Sequence, residues 1–253
     1  MKAILTGHSR GLGAAIATEL LGHGIPTLGL ARRGNEELAA AHGSLLTQVE
    51  IDLADDAALA DWLAGDALTR FLDDTVTILL INNAGTVQPI GRSEMQDPVV
   101  IARAVSLNVA APLMLFAALA AARGKAELRA IHISSGAGRK AYAGWNIYCA
   151  TKAALDHHAR AVAEDNKAGD NSAGDNGAGI KICSLAPGVI DTDMQAQIRS
   201  STPEEFPLHA DFVAMKDDGA LSKPADTAHK LVRYLLSNPF GDEAVADLRQ
   251  ITF

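Results

Sequence analysis

The sequence predicts an α/β fold: a single doubly wound domain, one parallel sheet with helices on both faces. Three observations carry this expectation. Six short runs are mainly apolar and read without regular polar alternation, which is the pattern of strands covered on both sides. Longer Ala- and Leu-rich segments separate them, and this β-α-β-α rhythm implies parallel strands joined by crossovers. The first apolar run passes directly into a glycine-rich turn that opens a helix, as a nucleotide-binding β-α unit requires.

The elements follow in order. The first strand is expected at 2–6, Lys-Ala-Ile-Leu-Thr, and the first helix at 12–21, beyond the glycines. Strands are expected at 26–31 and 46–51. A helix over 57–71 leads to a fourth strand at 76–81. The apolar segment 99–122 reads as a helix, and a fifth strand follows at 128–134. A helix over 147–164 precedes the sixth strand at 180–185. The last helix is expected over 224–236. No linker divides the chain, so 1–253 is expected to be one domain. Residues 167–179 break the rhythm: the unit Ala-Gly-Asp-Asn occurs twice there, and such a composition cannot bury a core. The segment reads as a flexible surface insertion, with a functional lid as the alternative.

Composition narrows the class. The 253 residues are 48% hydrophobic, enough for a sizeable core, and the formal charge is −8. No basic stripe appears, so nucleic acid is not an expected partner. The longest apolar stretch, 109–122, contains Pro112 and is too short to span a bilayer, so no membrane association is expected. The chain enters an expected strand at once, so no signal peptide is expected. Two cysteines, Cys149 and Cys183, make neither a disulfide framework nor a metal cluster; they read as reduced buried thiols in a cytoplasmic protein.

Four motifs carry chemistry. Thr6-Gly-His-Ser-Arg-Gly-Leu-Gly13 supplies Gly7, Ser9, Arg10, Gly11, Leu12 and Gly13 to a turn where backbone approaches phosphate at a helix N-terminus. The alternative is a glycine-rich turn without a ligand. The second strand ends Ala31-Arg32-Arg33, with no acid before Glu36. An acid there would bind a ribose 2′-hydroxyl. Arg10 and Arg32 suit a 2′-phosphate instead, with Arg33 beside them in the cofactor site, which points to NADP(H), unless these arginines are solvated surface charges. Asp52 and Leu53 close the third strand and could flank the adenine, although an Asp there is often only a turn residue. Asn82-Asn-Ala-Gly85 ends the fourth strand. Tyr148 and Lys152, four apart, share a helix face, where the ammonium favours the phenolate and lowers the tyrosine pKa. Ser135 lies thirteen residues upstream of Tyr148, and Asn108 stands between the motifs.

Together these residues resemble the short-chain dehydrogenase/reductase family, in its compact branch, over nearly the whole chain. The resemblance implies a Rossmann fold and an NADP(H)-dependent oxidoreductase. It makes Tyr148 the acid that protonates a carbonyl oxygen. Lys152 would bind the nicotinamide ribose and depress the tyrosine pKa. Ser135 would bond the substrate oxygen, and Asn108 would hold a water linking Lys152 to solvent. Asn82, Ala84, Gly85, Pro187, Gly188, Val189 and Thr192 would complete the cofactor site with Tyr148 and Lys152. Finer likenesses at 83–90, Gly144-Trp145 and 191–195 resemble the bacterial benzil reductases and the sepiapterin reductases. In the latter an Asp near the C-terminus anchors the pterin, and Asp247 matches it loosely; the plainer reading is a polar residue ending a strand. Tyr142 and Trp145 could wall an aromatic substrate pocket or simply pack. His8 in the glycine-rich turn and the insertion depart from the family pattern. His132 reads as a core histidine, and His157-His158 has no second ligand set for a metal. The expected activity is carbonyl reduction, on a ketone or a vicinal diketone, by a homodimer or homotetramer. A non-catalytic dinucleotide-binding regulator and an oxidative alcohol dehydrogenase are the rival readings.

Overall fold

The computed structural model describes residues 1–169 and 179–252. Seven parallel strands form one sheet in the order β3-β2-β1-β4-β5-β6-β7. They are β1 (Lys2–Thr6), β2 (Thr27–Ala31), β3 (Leu46–Glu50), β4 (Thr77–Asn82), β5 (Glu127–Ile133), β6 (Ile180–Ala186) and β7 (Val245–Asp247). The six strands expected from apolar runs are all present, each within a residue or so at its ends. β7, reached in sequence only through the polar residue at its end, is three residues long and pairs Ser184, Leu185 and Ala186 with Val245, Ala246 and Asp247.

Alternate side chains leave each strand on opposite faces, and each face has its own core. Ala3, Leu5, Leu79, Ile81, Ile131, Cys183 and Leu185 pack against α1 (Gly11–Gly22) and α10 (Pro224–Leu236). Ile4, Leu28, Leu80, Leu128, Ala130 and Ile182 pack on the other face. There they meet α3 (Asp56–Ala64), α4 (Ala67–Leu72), α6 (Ala111–Ala122) and α7 (Asn146–Gly169). Each fully buried Leu or Ile contributes roughly 1.5–3 kcal/mol, so both cores are needed to hold the sheet.

The differences from expectation have local causes. The helix expected over 57–71 is two helices, because Gly65 leaves the helical region at φ −77°, ψ −176°. The short helix α2 (Glu36–His42) starts at Asn35, whose Oδ1 accepts from the Leu38 N–H at 2.9 Å, with Glu36 and Glu37 in its first turn. Two further short helices, α8 (Asp193–Arg199) and α9 (His209–Asp217), lie beyond β6. The segment expected as one helix over 99–122 begins at Pro98, behind the Asp97 cap, as α5 (Pro98–Val105). It reaches α6 through a π turn at Ser106–Ala110. The whole of Pro98–Ala122 is long and apolar enough to cross a membrane, with mean hydropathy 1.9, which corrects the expectation that no segment reaches that length. Its inner face packs on the sheet through Ala111, Leu115, Phe116 and Leu119. α7 runs to Gly169, so the start of the glycine-rich repeat belongs to a helix. The rest of the expected insertion, 170–178, lies outside the described residues.

Candidate active site

A cleft of about 1090 Å³ opens beyond the C-terminal ends of the strands. It sits where the strand order turns back, with β2 and β3 on one side of β1 and β4 on the other, the usual crevice of a doubly wound sheet. One end is the glycine-rich turn. Gly7 and Gly11 take φ of +70° and +55°, a region that excludes most side chains. A Cβ on Gly13 would stand 1.9 Å from the Gly7 carbonyl oxygen. Arg10 stands at the cap position of α1 without a capping bond, and the first turn carries no acid. Its free N–H groups and dipole can therefore serve an anion. Thr6 Oγ1 accepts from the N–H groups of Asn83 and Ala84, both at 2.9 Å, which draws β4 onto this turn.

His8 now has a structural explanation. Its ring is buried and fills the space over Gly29, where a Cβ would stand 2.5 Å from it. Its Nε2 pairs with Gln48 Oε1 at 2.7 Å, and burial lowers its pKa. Gln48 Oε1 also accepts from the Asn35 N–H, and Asn35 Nδ2 donates to the Ser9 carbonyl. The turn is thereby fixed to β3 and to the start of α2.

Arg32 and Arg33 line the cleft beyond β2, with Asp52 and Leu53 beyond β3. Burial alone would raise the Asp52 carboxyl. Arg103, at 2.7 Å, and the Ala54 N–H outweigh that and hold it low. Arg10 also reaches the cleft, but its guanidinium pairs with Asp193 at 2.8 Å, both largely exposed, a contact worth little by itself.

The other end holds the Ser–Tyr–Lys set. Tyr148 and Lys152 lie one turn apart on α7, and Asp156 follows after another four residues. Ser135, beyond β5, lines the cleft with Tyr148, and its Oγ accepts from the Ala137 N–H at 3.2 Å. Lys152 Nζ donates to the Ile133 carbonyl at 2.7 Å and stands 5.6 Å from the centroid of the Tyr148 ring. The expected depression of the tyrosine pKa is absent. Burial pushes Tyr148 up to about 12, against the opposing effect of the Ser135 hydroxyl, and burial lowers Lys152 to about 8, against the Asp156 charge. Removing water from both groups outweighs the attraction between them.

Four expected site residues do not line the cleft. Asn82 is buried on the far side, where its Nδ2 meets the Pro112 carbonyl at 3.3 Å and His132 Nδ1 at 3.1 Å. Its neighbour Asn83 lines the cleft instead, because consecutive residues at a strand end face opposite ways. Gly11 is exposed, and a Cβ on it would stand 3.5 Å from Thr192 Cγ2. Asn108, on the π turn, is 1% exposed. Its amide clamps the backbone of Thr86, accepting from N and donating to O at 2.8 Å each, and also reaches Thr151. Asp247 is occupied by Arg249, at 2.9 and 2.6 Å, which holds its carboxyl below the usual range. Arg249 is the member of that pair that faces the cleft.

Ala84, Gly85, Pro187, Gly188, Val189 and Thr192 all line the cleft, as do Tyr142 and Trp145. Trp145 both walls the cleft and packs. It is 5% exposed, stacks on Phe206 at 4.5 Å, and meets Tyr148 and Phe212 edge-on. Phe212, Gln195 and Arg249 are lining residues that sequence reasoning missed; only Gln195, next to the Thr192 motif, stood near a signal. His132 is a bonded core histidine whose Nε2 meets His158 Nδ1 at 3.1 Å, and burial lowers its pKa to about 3. Cys183 is buried as expected, but Cys149 only partly so.

A glycine-rich turn at the crevice and a Ser–Tyr–Lys set at its far end define an oxidoreductase of the dinucleotide-binding α/β class. The chain belongs to the short chain dehydrogenase family, whose pattern matches residues 1–203. It is 37% identical over 239 residues to the benzil reductase ((S)-benzoin forming) of Bacillus cereus, covering 92% of each chain. It is 29% identical over 260 residues to the sepiapterin reductase of Meriones unguiculatus, covering 96% of this chain and 94% of the relative. A solved short-chain dehydrogenase/reductase from Burkholderia vietnamiensis superimposes with a TM-score of 0.69 at 48% identity, covering 99% of this chain and 98% of that one.

Proposed function

We propose that the protein is an NADPH-dependent carbonyl reductase of ketones or vicinal diketones, aromatic ones included. The observation that carries this reading is that Ser135, Tyr148 and Lys152 line one end of a cleft that continues to the glycine-rich turn, with Lys152 Nζ 5.6 Å from the centroid of the Tyr148 ring. The residues present fit a dinucleotide: the uncapped, acid-free first turn of α1, entered through Gly7 and Gly11 at positive φ, suits a pyrophosphate. When bound, the reduced dinucleotide supplies the hydride. Ser9 and Leu12 would line the pyrophosphate, and Arg32 and Arg33 would hold a 2′-phosphate. Asp52 and Leu53 would flank the adenine, with Asn83, Ala84 and Gly85 beside them. Pro187, Gly188, Val189 and Thr192 would line the nicotinamide.

Tyr148 donates its proton to the carbonyl oxygen, and Ser135 donates a hydrogen bond to the same oxygen. Lys152 binds the ribose hydroxyls and offsets the phenolate left behind. Asn108, through Thr86 and Thr151, keeps the β4 loop and α7 in register. The names of the two kinds of relative support a carbonyl substrate. A vicinal diketone is favoured because one carbonyl withdraws electrons from the other and makes it a better hydride acceptor. Two unbridged cysteines suit a cytoplasmic setting, and a homodimer or homotetramer would show directly in sedimentation.

The test is consumption of NADPH and of NADH with benzil, an aliphatic ketone and a pterin, followed by chiral analysis of the product. Tyr148→Phe keeps the ring and removes the transferable proton, so it should bind cofactor and lose nearly all turnover. Near-normal turnover in that variant removes tyrosine from the mechanism.

A further inference from the structure

Two residues that line the cleft, Trp145 and Gln195, carry buried side-chain N–H donors that have no acceptor. Gln195, on α8, is 3% exposed and lines the cleft. Its Oε1 accepts from Arg199 Nη1 at 2.7 Å, whereas its Nε2 is buried without a partner. The orientation of this amide is decided by chemistry. Arg199 can only donate, so the atom facing it is the oxygen, and the NH₂ group must point elsewhere. Trp145 Nε1 is likewise buried without a partner. The two belong to one region, since Ile198, one turn beyond Gln195, packs in the aromatic cluster that contains Trp145. Donors without acceptors are rare inside proteins, because leaving one unmade opposes folding. Both residues line the cleft, so a ligand acceptor there would satisfy these nitrogens once the side chains turn toward it.

We infer that Gln195 is a specificity-determining residue that donates a hydrogen bond to a second oxygen of the substrate, next to the carbonyl being reduced. The inference rests on the carbonyl reductase reading and names its substrate class more narrowly: carbonyl compounds bearing a further acceptor oxygen. Ser135 and Tyr148 take the reacting oxygen, Gln195 takes its neighbour, and Trp145 offers a second donor on the same side. Two-point attachment would also fix which face of the reacting carbon is presented.

The test compares benzil with deoxybenzoin, which has the same two rings and one carbonyl but no second oxygen. The quantity read is the ratio of their kcat/KM values. Because it is a ratio, it does not depend on how much of a preparation is active. The electronic activation of benzil is present in every variant and cancels in the comparison between them. Gln195→Leu removes the donor at similar size. Gln195→Glu keeps an oxygen for Arg199 and turns an acceptor toward the substrate, so it serves if the leucine variant does not fold. The ratio should fall by roughly tenfold or more in both variants, as for loss of one hydrogen bond specific to benzil. An unchanged ratio, whatever the absolute rates, overturns the inference while leaving the reductase reading intact. If the unaltered protein reduces no carbonyl compound at all, the reductase reading fails, and this inference fails with it.

Discussion

Replacing Asp156 by alanine should damage stability and turnover together. Asp156 is the third residue on the face of α7 that carries Tyr148 and Lys152. It is 1% exposed and accepts from Ser134 Oγ and Ser184 Oγ at 2.7 Å each, and from Arg139 Nε at 3.1 Å. Arg139 also donates to the Ala246 carbonyl at 2.8 Å. One carboxylate thus ties α7 to β6, to β7 and to the segment that leads into Ser135. Removing one partner of a buried ion pair destabilises by about 3–5 kcal/mol. Arg139 is 30% exposed and can regain water, so the lower end, about 3 kcal/mol, is the better figure. For a chain of this size each kcal/mol lowers Tm by roughly 2–4 °C, so a fall of about 10 °C is expected.

Turnover should fall for a separate reason. A Cβ on Gly138 would stand 2.9 Å from the Lys152 carbonyl and 3.0 Å from Asp156 Oδ2, so the turn after Ser135 rests directly on this part of α7. Asp156 also opposes the loss of the Lys152 charge. Asp156→Asn keeps the shape and removes the charge. It should melt closer to the unaltered protein yet lose roughly tenfold in kcat, because small misplacements of reacting groups are expensive in rate. Calorimetry and steady-state kinetics on both variants decide the matter. If Asp156→Ala melts within about 2 °C of the unaltered protein, the buried carboxylate is not the tie described here.

Arg32→Asp should weaken NADPH binding by roughly 1–3 kcal/mol, the loss of one charge-assisted contact, read by fluorescence titration. Equal Michaelis constants for NADPH and NADH in the unaltered protein would count against a 2′-phosphate site. Gly13→Ala should abolish dinucleotide binding or folding, because its Cβ meets the Gly7 carbonyl, whereas Gly22→Ala enters open space and should stabilise by up to about 1 kcal/mol. Equal melting temperatures and equal cofactor affinities for these two variants would show that the turn is not constrained as described.

How much of this was legible depended on whether the information was local. Strands of a covered parallel sheet announce themselves as short, mainly apolar runs, so six of seven were found within a residue or so at their ends, although β3 is only partly buried. The glycine-rich turn and the Tyr148–Lys152 spacing are local too. What failed was whatever depends on which way a side chain faces in three dimensions. Asn82 and Asn83 are adjacent and chemically identical, and only the end of β4 decides that the second one faces the cleft. Asp247 was a loose match by position, but Arg249, two residues on, occupies its oxygens and faces the cleft in its place. The π turn that buries Asn108 leaves no mark in the 3.6-residue periodicity. The pKa argument failed for a similar reason: spacing reveals that a cation lies near a phenol, but not how much water the fold removes from both.

That balance of burial and charge yields a last prediction. Burial holds Tyr148 at about 12, so its phenol keeps its proton through the neutral range and is ready to donate it. The group that changes near neutrality is Lys152. It is a base with a lowered pKa, so it loses its charge as pH rises through about 8, rather than near its ordinary 10.5. Once Tyr148 has given up its proton, the phenolate lies in the same water-poor surroundings, and the ammonium 5.6 Å from its ring is the nearby charge that offsets it. Without that charge the step should become unfavourable. Reductive kcat/KM should therefore be flat below about pH 7 and fall above about pH 8, by up to tenfold per unit. Reduction consumes one proton, so the reverse rate should rise by up to tenfold per unit below about pH 7, where the reductive rate is flat, and level off above about pH 8. Lys152→Met should lower the rate and abolish the falling limb. Benzil reduction and benzoin oxidation followed from pH 6 to 10 test both directions, and a reductive rate independent of pH across that interval would show that the charge on Lys152 does not govern the proton transfer.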